Sequence, residues 1–478
     1  RCKMNNQAFN PFLPAWEYVP DGEPHVFGDR VYLFGSHDRF GGDKFCMNDY
    51  VCWSAPVTDL KNWRYEGVIY KKEQDPLNPD GSHMLFAPDV CRGFDGRYYL
   101  FYALDFVSVI SVAVCDTPAG HYKFHGHVHF RDGHLLSTRA GEPYAFDPAV
   151  LRDEGVNYLY MGYCPYPPRH LMKVPKTYDY AWVYRLDDDM LTVLGEPTKI
   201  APSFSNSAGT GFEGHEFFEA SSIRKVGDKY CFIWSSYYGH ELCYALSDDP
   251  EGPFEFGGTI ISNGDIGVNG IRDEADCDNY IGNNHGSIEK INGKWYVFYH
   301  RHTNRRSFSR QACAERITVL PDGHIPQVEM TSCGLNGGPL AGKGVYPAPI
   351  ACILKSRSGA MRGEVPLRGI HPYITQDGED GQVEAFQHIA NFRRGAVCGY
   401  KYFSPDGATT LSVTIRGDAR GFFTVTDGAG NVLSHINILS SRGWQTFSAP
   451  FKCPREKFAL YFTFEGDGAV DFLRFSLD

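Results

Sequence analysis

Along most of the chain apolar and polar residues alternate with a period of two, in short runs broken by Gly, Pro, Asp and Asn, and almost no long segment repeats at 3.6 residues. "FFEASSIRKVGDKYCFIWSS", Phe217 to Ser236, shows the unit: an alternating strand, a turn at Val226-Gly227-Asp228, and a second strand of aromatic and β-branched residues. The second half of that hairpin returns four times, as "GDRVYLFGS" from Gly28, "DGRYYLFYA" from Asp95, "EGVNYLYMGY" from Glu154 and "NGKWYVFYH" from Asn292. The period, roughly 60–70 residues, is long for a solenoid and suits a blade of about four strands with its loops. The pattern therefore predicts an all-β fold whose first part is a five-bladed β-propeller.

A short strand precedes each repeated hairpin and carries a polar residue near its start: Asp21, Asp89, Asp147, Glu219 and His285. Innermost strands line a propeller's axis, so these positions are expected to converge at one mouth of the channel. Taken singly, an acidic residue before a strand is a turn residue bonded to its own backbone. Five at one offset from a repeated hairpin point instead to a ring. Beyond Met330 the glycine-bearing connector "TSCGLNGGPLAGKG" marks a boundary. The runs that follow, among them "TLSVTIRG", "GFFTVTD" and "FALYFTFEG", turn about every eight to twelve residues, the spacing of a β-sandwich. The expected division is 1–335 for the propeller and 336–478 for a jelly-roll-like sandwich, with Trp444 in the sandwich core.

Composition narrows the classes. The net charge of -11 is spread thinly, and Arg305-Arg306 is the nearest approach to a basic run, so no footprint for nucleic acid is present. No stretch approaches the roughly 18 apolar residues of a membrane-spanning helix. Fourteen cysteines include no C-x-x-C pair, and Cys52, Cys115, Cys231 and Cys243 stand as single apolar substitutes inside strands. Free buried thiols favour a reducing compartment, hence the cytoplasm. Secretion stays open as the alternative, because the chain begins at Arg1 and an upstream segment could have been removed.

Two carboxyl groups at the right separation hydrolyse an acetal, and an inverting site holds them about 6.5–9.5 Å apart to admit water. Glu219, among Phe217, Phe218 and Ala220, is expected to be desolvated and protonated, with Asp147 as an ionised neighbour that raises its pKa. Asp21, in the polar turn Pro20-Asp21-Gly22, is expected to stay ionised as the base, with Glu23 as its competitor. Glu213 and Glu216 compete with Glu219 but fall in the lead-in "GTGFEGHE".

The ordered set of an early Asp before "HVF", then "APDV", "FDPAV", "FFEASSIRK" and "NNHGSI…GKWYVFYHRH" resembles glycoside hydrolase family 43 across roughly residues 8–330. The resemblance implies an inverting propeller hydrolase in which Asp21 matches the general base, Glu219 the general acid and Asp147 the aspartate that orients that acid. It also implies that His285 matches the axial histidine which, in many members, holds a calcium ion or a water; no other cofactor is called for. Arg310, in "SRQACAERI", falls where the family carries a substrate-binding arginine. Phe86 and Asp89 of "FAPDV" and His37 and Asp38 of "GSHDR" complete the expected substrate pocket. "GWQTFSAPF" and "GDGAVDFLRFSL" resemble family 6 carbohydrate-binding modules over roughly 130 residues, with Phe472 where such a module often supplies a polar partner. The expected activity is exo-release of arabinofuranose or xylose from plant-derived, hemicellulose-type oligosaccharides, as an arabinofuranosidase or xylosidase. A non-catalytic carbohydrate-binding propeller, and a retaining fructosidase or a phosphorylase, are the alternatives.

Overall fold

The computed structural model describes residues 4–167, 174–364 and 369–478. Blade 1 comprises β1 (Glu23–Phe27), β2 (Arg30–Phe34), β3 (Tyr50–Pro56) and β4 (Arg64–Tyr70), and blade 2 comprises β5 (Asp89–Arg92), β6 (Tyr98–Ala103), β7 (Ile110–Cys115) and β8 (Lys123–His127). Blade 3 holds β9 (Ala149–Asp153), β10 (Val156–Met161), β11 (Tyr180–Leu186) and β12 (Val193–Pro202); blade 4 holds β13 (Phe217–Val226), β14 (Lys229–Ser236), β15 (Leu242–Ser247) and β16 (Glu255–Ile261). Blade 5 has three strands, β17 (Ser287–Ile291), β18 (Lys294–Thr303) and β19 (Arg306–Ile317). Each repeated sequence hairpin is the antiparallel pair formed by a blade's first two strands. The first strands touch in a closed circuit, β1 with β5 and β17, β9 with β5 and β13, and β13 with β17.

Burial follows from that closure. A blade is covered on both faces by its neighbours, so central strands such as β6, "YYLFYA", are buried at every position. Five separate hydrophobic cores result, one at each blade junction. The missing fourth strand of blade 5 is replaced by the N-terminal segment. Phe12 N–H donates to Ala312 O (3.2 Å), and the Asn10 side chain copies a ladder rung, accepting from Ala314 N–H (3.0 Å) and donating to Ala314 O (2.9 Å).

Eleven strands form the C-terminal curled sheet. They are β20 (Leu340–Ala341), β21 (Gly344–Pro347), β22 (Ile353–Lys355), β23 (Tyr373–Thr375), β24 (His388–Arg393), β25 (Val397–Ser404), β26 (Thr410–Gly417), β27 (Ala419–Thr426), β28 (Val432–Ile438), β29 (Ser441–Pro450) and β30 (Phe458–Leu477). The first half of β30 pairs with β25 and β27, the second with β24, β26 and β21, so one strand belongs to both layers. It turns the corner at Gly466 and Gly468, where an added Cβ would stand 2.2 Å from Arg420 O and 2.0 Å from Asp418 O respectively. Phe472 is buried in the phenylalanine-rich core between the layers. Trp444 is not: it lies half-buried on β29 with the Arg416 guanidinium 4.2 Å above its ring, because its neighbours in β29 alternate toward solvent.

This domain grips the propeller. Asp380 accepts from Phe40 N–H (2.8 Å) and Asn48 Nδ2 (2.9 Å), Gln376 accepts from the Tyr18 hydroxyl, and Lys401 is buried against Asp265 (3.0 Å). No helix among the described residues is long and apolar enough to cross a membrane, and their thirteen cysteines are free, ten of them buried.

Asn10→Ala leaves the buried N–H and C=O of Ala314 without partners, at a cost of about 1–3 kcal/mol for each group. Thermal unfolding followed by circular dichroism is expected to show a midpoint several degrees lower; an unchanged midpoint would show that the rung does not close the ring.

Candidate active site

The acidic ring forms because residues two apart on a strand share a face. Asp21, Ala87, Asp147 and His285 each stand two residues before a blade's first strand, Glu219 stands third in the irregular start of β13, and all five line one pocket of about 280 Å³. Asp89, expected there, sits two residues further along in register with Glu23, and lies below the pocket. Its carboxylate accepts from the His25 ring (2.7 Å), Val90 N–H (2.8 Å) and Val150 N–H (2.8 Å). Glu23 is also buried below, bonded to Arg224 (2.9 Å), which removes it as a rival to Asp21. Glu213 bonds the backbone of its own exposed turn and Glu216 bonds Ser207 (2.9 Å); neither reaches the pocket.

The backbone is bent at each carboxyl position. Asp21 (φ 57°), Asp147 (φ 47°) and Ala220 (φ 69°), which follows Glu219, all take the left-handed conformation at non-glycine residues, at a cost of about 1–3 kcal/mol each. Around Glu219 the β13–β14 register shifts twice, and the irregularity turns the Ala220 N–H onto Asp147 Oδ2 (2.9 Å). At Asp21 the bend aims the backbone N–H at His300 Nδ1 (3.1 Å), a bond that requires this nitrogen unprotonated, while Nε2 reaches Asn283 O (2.9 Å). Burial pushes His300 well below its usual pKa, in keeping with a neutral ring.

The three carboxyls differ in proton affinity. Burial tends to raise Asp21, but the Arg310 guanidinium, with the Ser36 hydroxyl donating to Oδ2 (2.6 Å), outweighs it and brings the pKa to about 2. Glu219 has no hydrogen bond to its carboxyl among the described residues; burial, and then the Asp21 charge, push it up to about 8. Burial, then the charges of Glu219 and Asp21, drive Asp147 upward as well. The Ala220 N–H stabilises a charge on Asp147, and no hydrogen bond among the described residues serves the Glu219 carboxyl.

Arg310 reaches the pocket wall with its donors already committed. Nε and Nη2 form a fork on Asp38 (2.8 and 3.0 Å), Nη1 donates to Asp21 (3.1 Å) and Asn283 (3.1 Å), and Nη2 also reaches Cys46 Sγ (3.5 Å). A guanidinium has five N–H donors, and these contacts use all five. Asp38, expected at the sugar, stands behind Arg310 as its anchor and does not line the pocket. His37 also turns away, between Glu17 Oε1 (2.7 Å) and Asp49 O (2.8 Å). Phe86 does line the pocket, beside walls not singled out from the sequence: Phe45, Cys46 and Tyr144, and, within the quoted motifs, Phe146, Tyr163 and Asn283. Phe45 and Tyr144 come from loops outside the quoted motifs, whereas Tyr163 closes the repeated run "EGVNYLYMGY" and Phe146 opens "FDPAV", where the pattern of strands and turns did not mark them as pocket walls.

His285 stands between the charges, its Nδ1 3.9 Å from Asp21 and 4.0 Å from Asp147, and burial lowers its pKa. Calcium takes six to eight oxygens. The nearby Asp21 Oδ1 and Asp147 Oδ2 already accept from Arg310 and Ala220, so these side chains do not make a calcium cage.

The sequence profile of Glycosyl hydrolases family 43 matches residues 10–325. A xylosidase/arabinosidase of Thermoclostridium stercorarium is 53% identical over 478 residues, 99% of each chain, and one of Bacteroides ovatus is 29% identical over 60% of this chain and 87% of its own. Among solved structures, a family 43 arabinoxylan arabinofuranohydrolase from Bacillus subtilis, in complex with cellotetraose, shares the fold at TM-score 0.52 and 20% identity, over 98% of this chain and 97% of its own. A propeller of five blades with an acidic pocket on its axis, a profile match over most of the chain and a full-length relative at this identity agree: the chain belongs to family 43 of the glycosyl hydrolases.

Proposed function

We propose that this protein is an inverting exo-glycosidase that removes a terminal arabinofuranosyl or xylosyl unit from an oligosaccharide, with Asp21 as general base, Glu219 as general acid and Asp147 as the residue that orients and charges against that acid. The observation that carries this function is one small pocket lined by two carboxyls of opposite proton affinity, Asp21 at about 2 and Glu219 at about 8. At neutral pH Glu219 holds the proton that the leaving oxygen needs, and Asp21 is free to take one from water. Arg310 keeps Asp21 ionised and fixes its orientation. No step calls for a cofactor.

A pocket of about 280 Å³ lies at the small end of the roughly 300–1,000 Å³ typical of ligand sites, which suits a single terminal sugar. Glu23, His25, Asp89 and Arg224 occupy the channel beneath it, His25 bonded to Asp89 and Arg224 paired with Glu23, so no chain threads through. The relatives named above supply the choice of pentose. We assign residues 336–478 to a second domain that braces the propeller: the ring of Trp444 is covered by Arg416 and Phe472 is buried, which argues against independent polysaccharide binding through these positions. The free buried thiols favour the cytoplasm.

Asp21→Asn and Glu219→Gln are each expected to lower kcat/KM on xylo- or arabino-oligosaccharides by about 10²–10⁴-fold. Glu219→Gln should recover much of that loss on a dinitrophenyl pentoside, whose leaving group needs no proton, whereas Asp21→Asn should not. Full activity in both variants would exclude the mechanism, and proton NMR of the first sugar released should show the inverted anomer.

The pH profile of kcat/KM is expected to fall above pH about 8, as Glu219 loses its proton, and to fall on the acid side only toward pH about 2, where Asp21 gains one. Activity that declined steadily from pH about 6 upward would contradict the protonated Glu219.

A further inference from the structure

Outside the pocket a row of aromatic rings runs over the same end of blades 3 and 4. It starts at Tyr163, a pocket wall, and continues to Phe218 (ring centroids 5.6 Å apart), Tyr237 (6.2 Å further) and Tyr238 (5.0 Å further). Phe204 flanks Tyr237 at 5.2 Å, and Tyr166 flanks Phe204 at 4.8 Å. These residues come from separate places in the chain: the exits of β10, β12 and β14 and the start of β13. They are not core. Tyr166 is 49% exposed and Tyr238 45%, while Phe218, Phe204 and Tyr237 are half-buried. A row of half-buried rings that ends in two exposed ones beside a pocket mouth leaves more aromatic surface in water than packing requires, and such surface marks a place where something binds.

Chemistry fixes which occupant this is. Glu219 protonates the oxygen of the departing group, so that group must lie on the side where the acid stands. Phe218 is the residue next to Glu219 and the aromatic row leads outward from it, whereas Asp21 and Arg310 approach the pocket from blades 1 and 5. Flat apolar rings with phenolic edges are the groups that stack on sugar faces and bond to hydroxyls.

Resting on the glycosidase function above, we infer that the row Phe218, Tyr237, Tyr238, Tyr166 and Phe204 is a platform for the chain from which the terminal sugar is cut, so that the enzyme's substrate is a linear pentose oligosaccharide whose two or three following units lie along this row. The pocket selects the unit removed. The platform selects what that unit is attached to.

The experiment compares kcat/KM for xylobiose, xylotriose and xylotetraose with kcat/KM for a nitrophenyl xyloside, and repeats the series with the arabino-oligosaccharides. In the wild type the oligosaccharide-to-nitrophenyl ratio should rise with chain length in at least one series. Tyr238→Ala and Tyr166→Ala should each lower the ratio for the longest substrate by about tenfold, the equivalent of one lost stacking contact, and Tyr238→Phe, which keeps the ring, should restore it. A ratio independent of length in the wild type, or one unchanged in both alanine variants, would overturn the platform while leaving the glycosidase function standing. Absence of any pentoside release by the wild type would remove both.

Discussion

Arg310 is the one guanidinium among the described residues that line the pocket, and it decides how the carboxyl groups around it divide their protons. At 3.1 Å from Asp21 and an effective dielectric near 20, its gross attraction is roughly 5 kcal/mol, enough to overcome the cost of burying that carboxylate. The ionised Asp21 then raises Glu219, so one cation sets a low proton affinity at one carboxyl and a high one at the other. Asp38 is what makes this arrangement directional. By accepting a fork from Nε and Nη2 it turns Nη1 toward Asp21 and Asn283, and its own charge holds the guanidinium in a place where burial would otherwise disfavour it. A lysine would supply the charge without the fork, and so without the orientation.

The repeat was legible because each blade begins with the same turn chemistry. Positions such as Gly28, Gly227 and Asn292 adopt positive φ in the first hairpin, which restricts the residues found there and makes the hairpin recur in the sequence. From the repeat followed the blade number and the convergence of Asp21, Asp147, Glu219 and His285. Asp89 shows the limit of such reasoning: counting along "FAPDV" without the register selects the conspicuous acid, while the residue facing the pocket is the small Ala87 two places earlier. A two-residue error keeps the side chain on the axis but moves it down by about 7 Å. Asp38, His37 and Arg310 were found as residues, yet whether a charged group meets substrate or another side chain depends on partners distant in sequence, Cys46, Glu17 and Asn283 among them. Loop aromatics such as Phe45 and Tyr144 obey no period, so only coordinates assemble them.

The C-terminal sheet acquires a role from the loop between β2 and β3. That loop carries Asp38, which anchors Arg310, and then Phe45 and Cys46, which form pocket wall. A long connection between two strands has no ladder of its own to hold it. Here both carboxylate oxygens of Asp380 clamp it at Phe40 and Asn48, and the Tyr18 hydroxyl, three residues before Asp21, bonds to Gln376. The second domain thus steadies the two segments whose relative position sets the Asp21–Arg310 distance. A domain of this kind can influence catalysis without touching a sugar.

Closure of the channel below completes the argument. A propeller axis lined by first strands is open at both ends unless side chains fill it, and an open acidic channel would admit water to Glu219 and return its pKa toward that of a solvated carboxyl. Glu23, His25, Asp89 and Arg224 occupy the next layer down, His25 against Asp89 (2.7 Å) and Arg224 against Glu23 (2.9 Å), and so take up the space beneath the pocket. Desolvation of Glu219 therefore begins one layer beneath it. The same plug gives the pocket a floor, and a floor is what confines cleavage to the end of a chain: a polymer can enter only as far as its first ring. Proton affinity and exo-action are in this way two consequences of one buried layer, which places His25 and Arg224, neither of them in contact with the pocket, among the residues on which the chemistry depends.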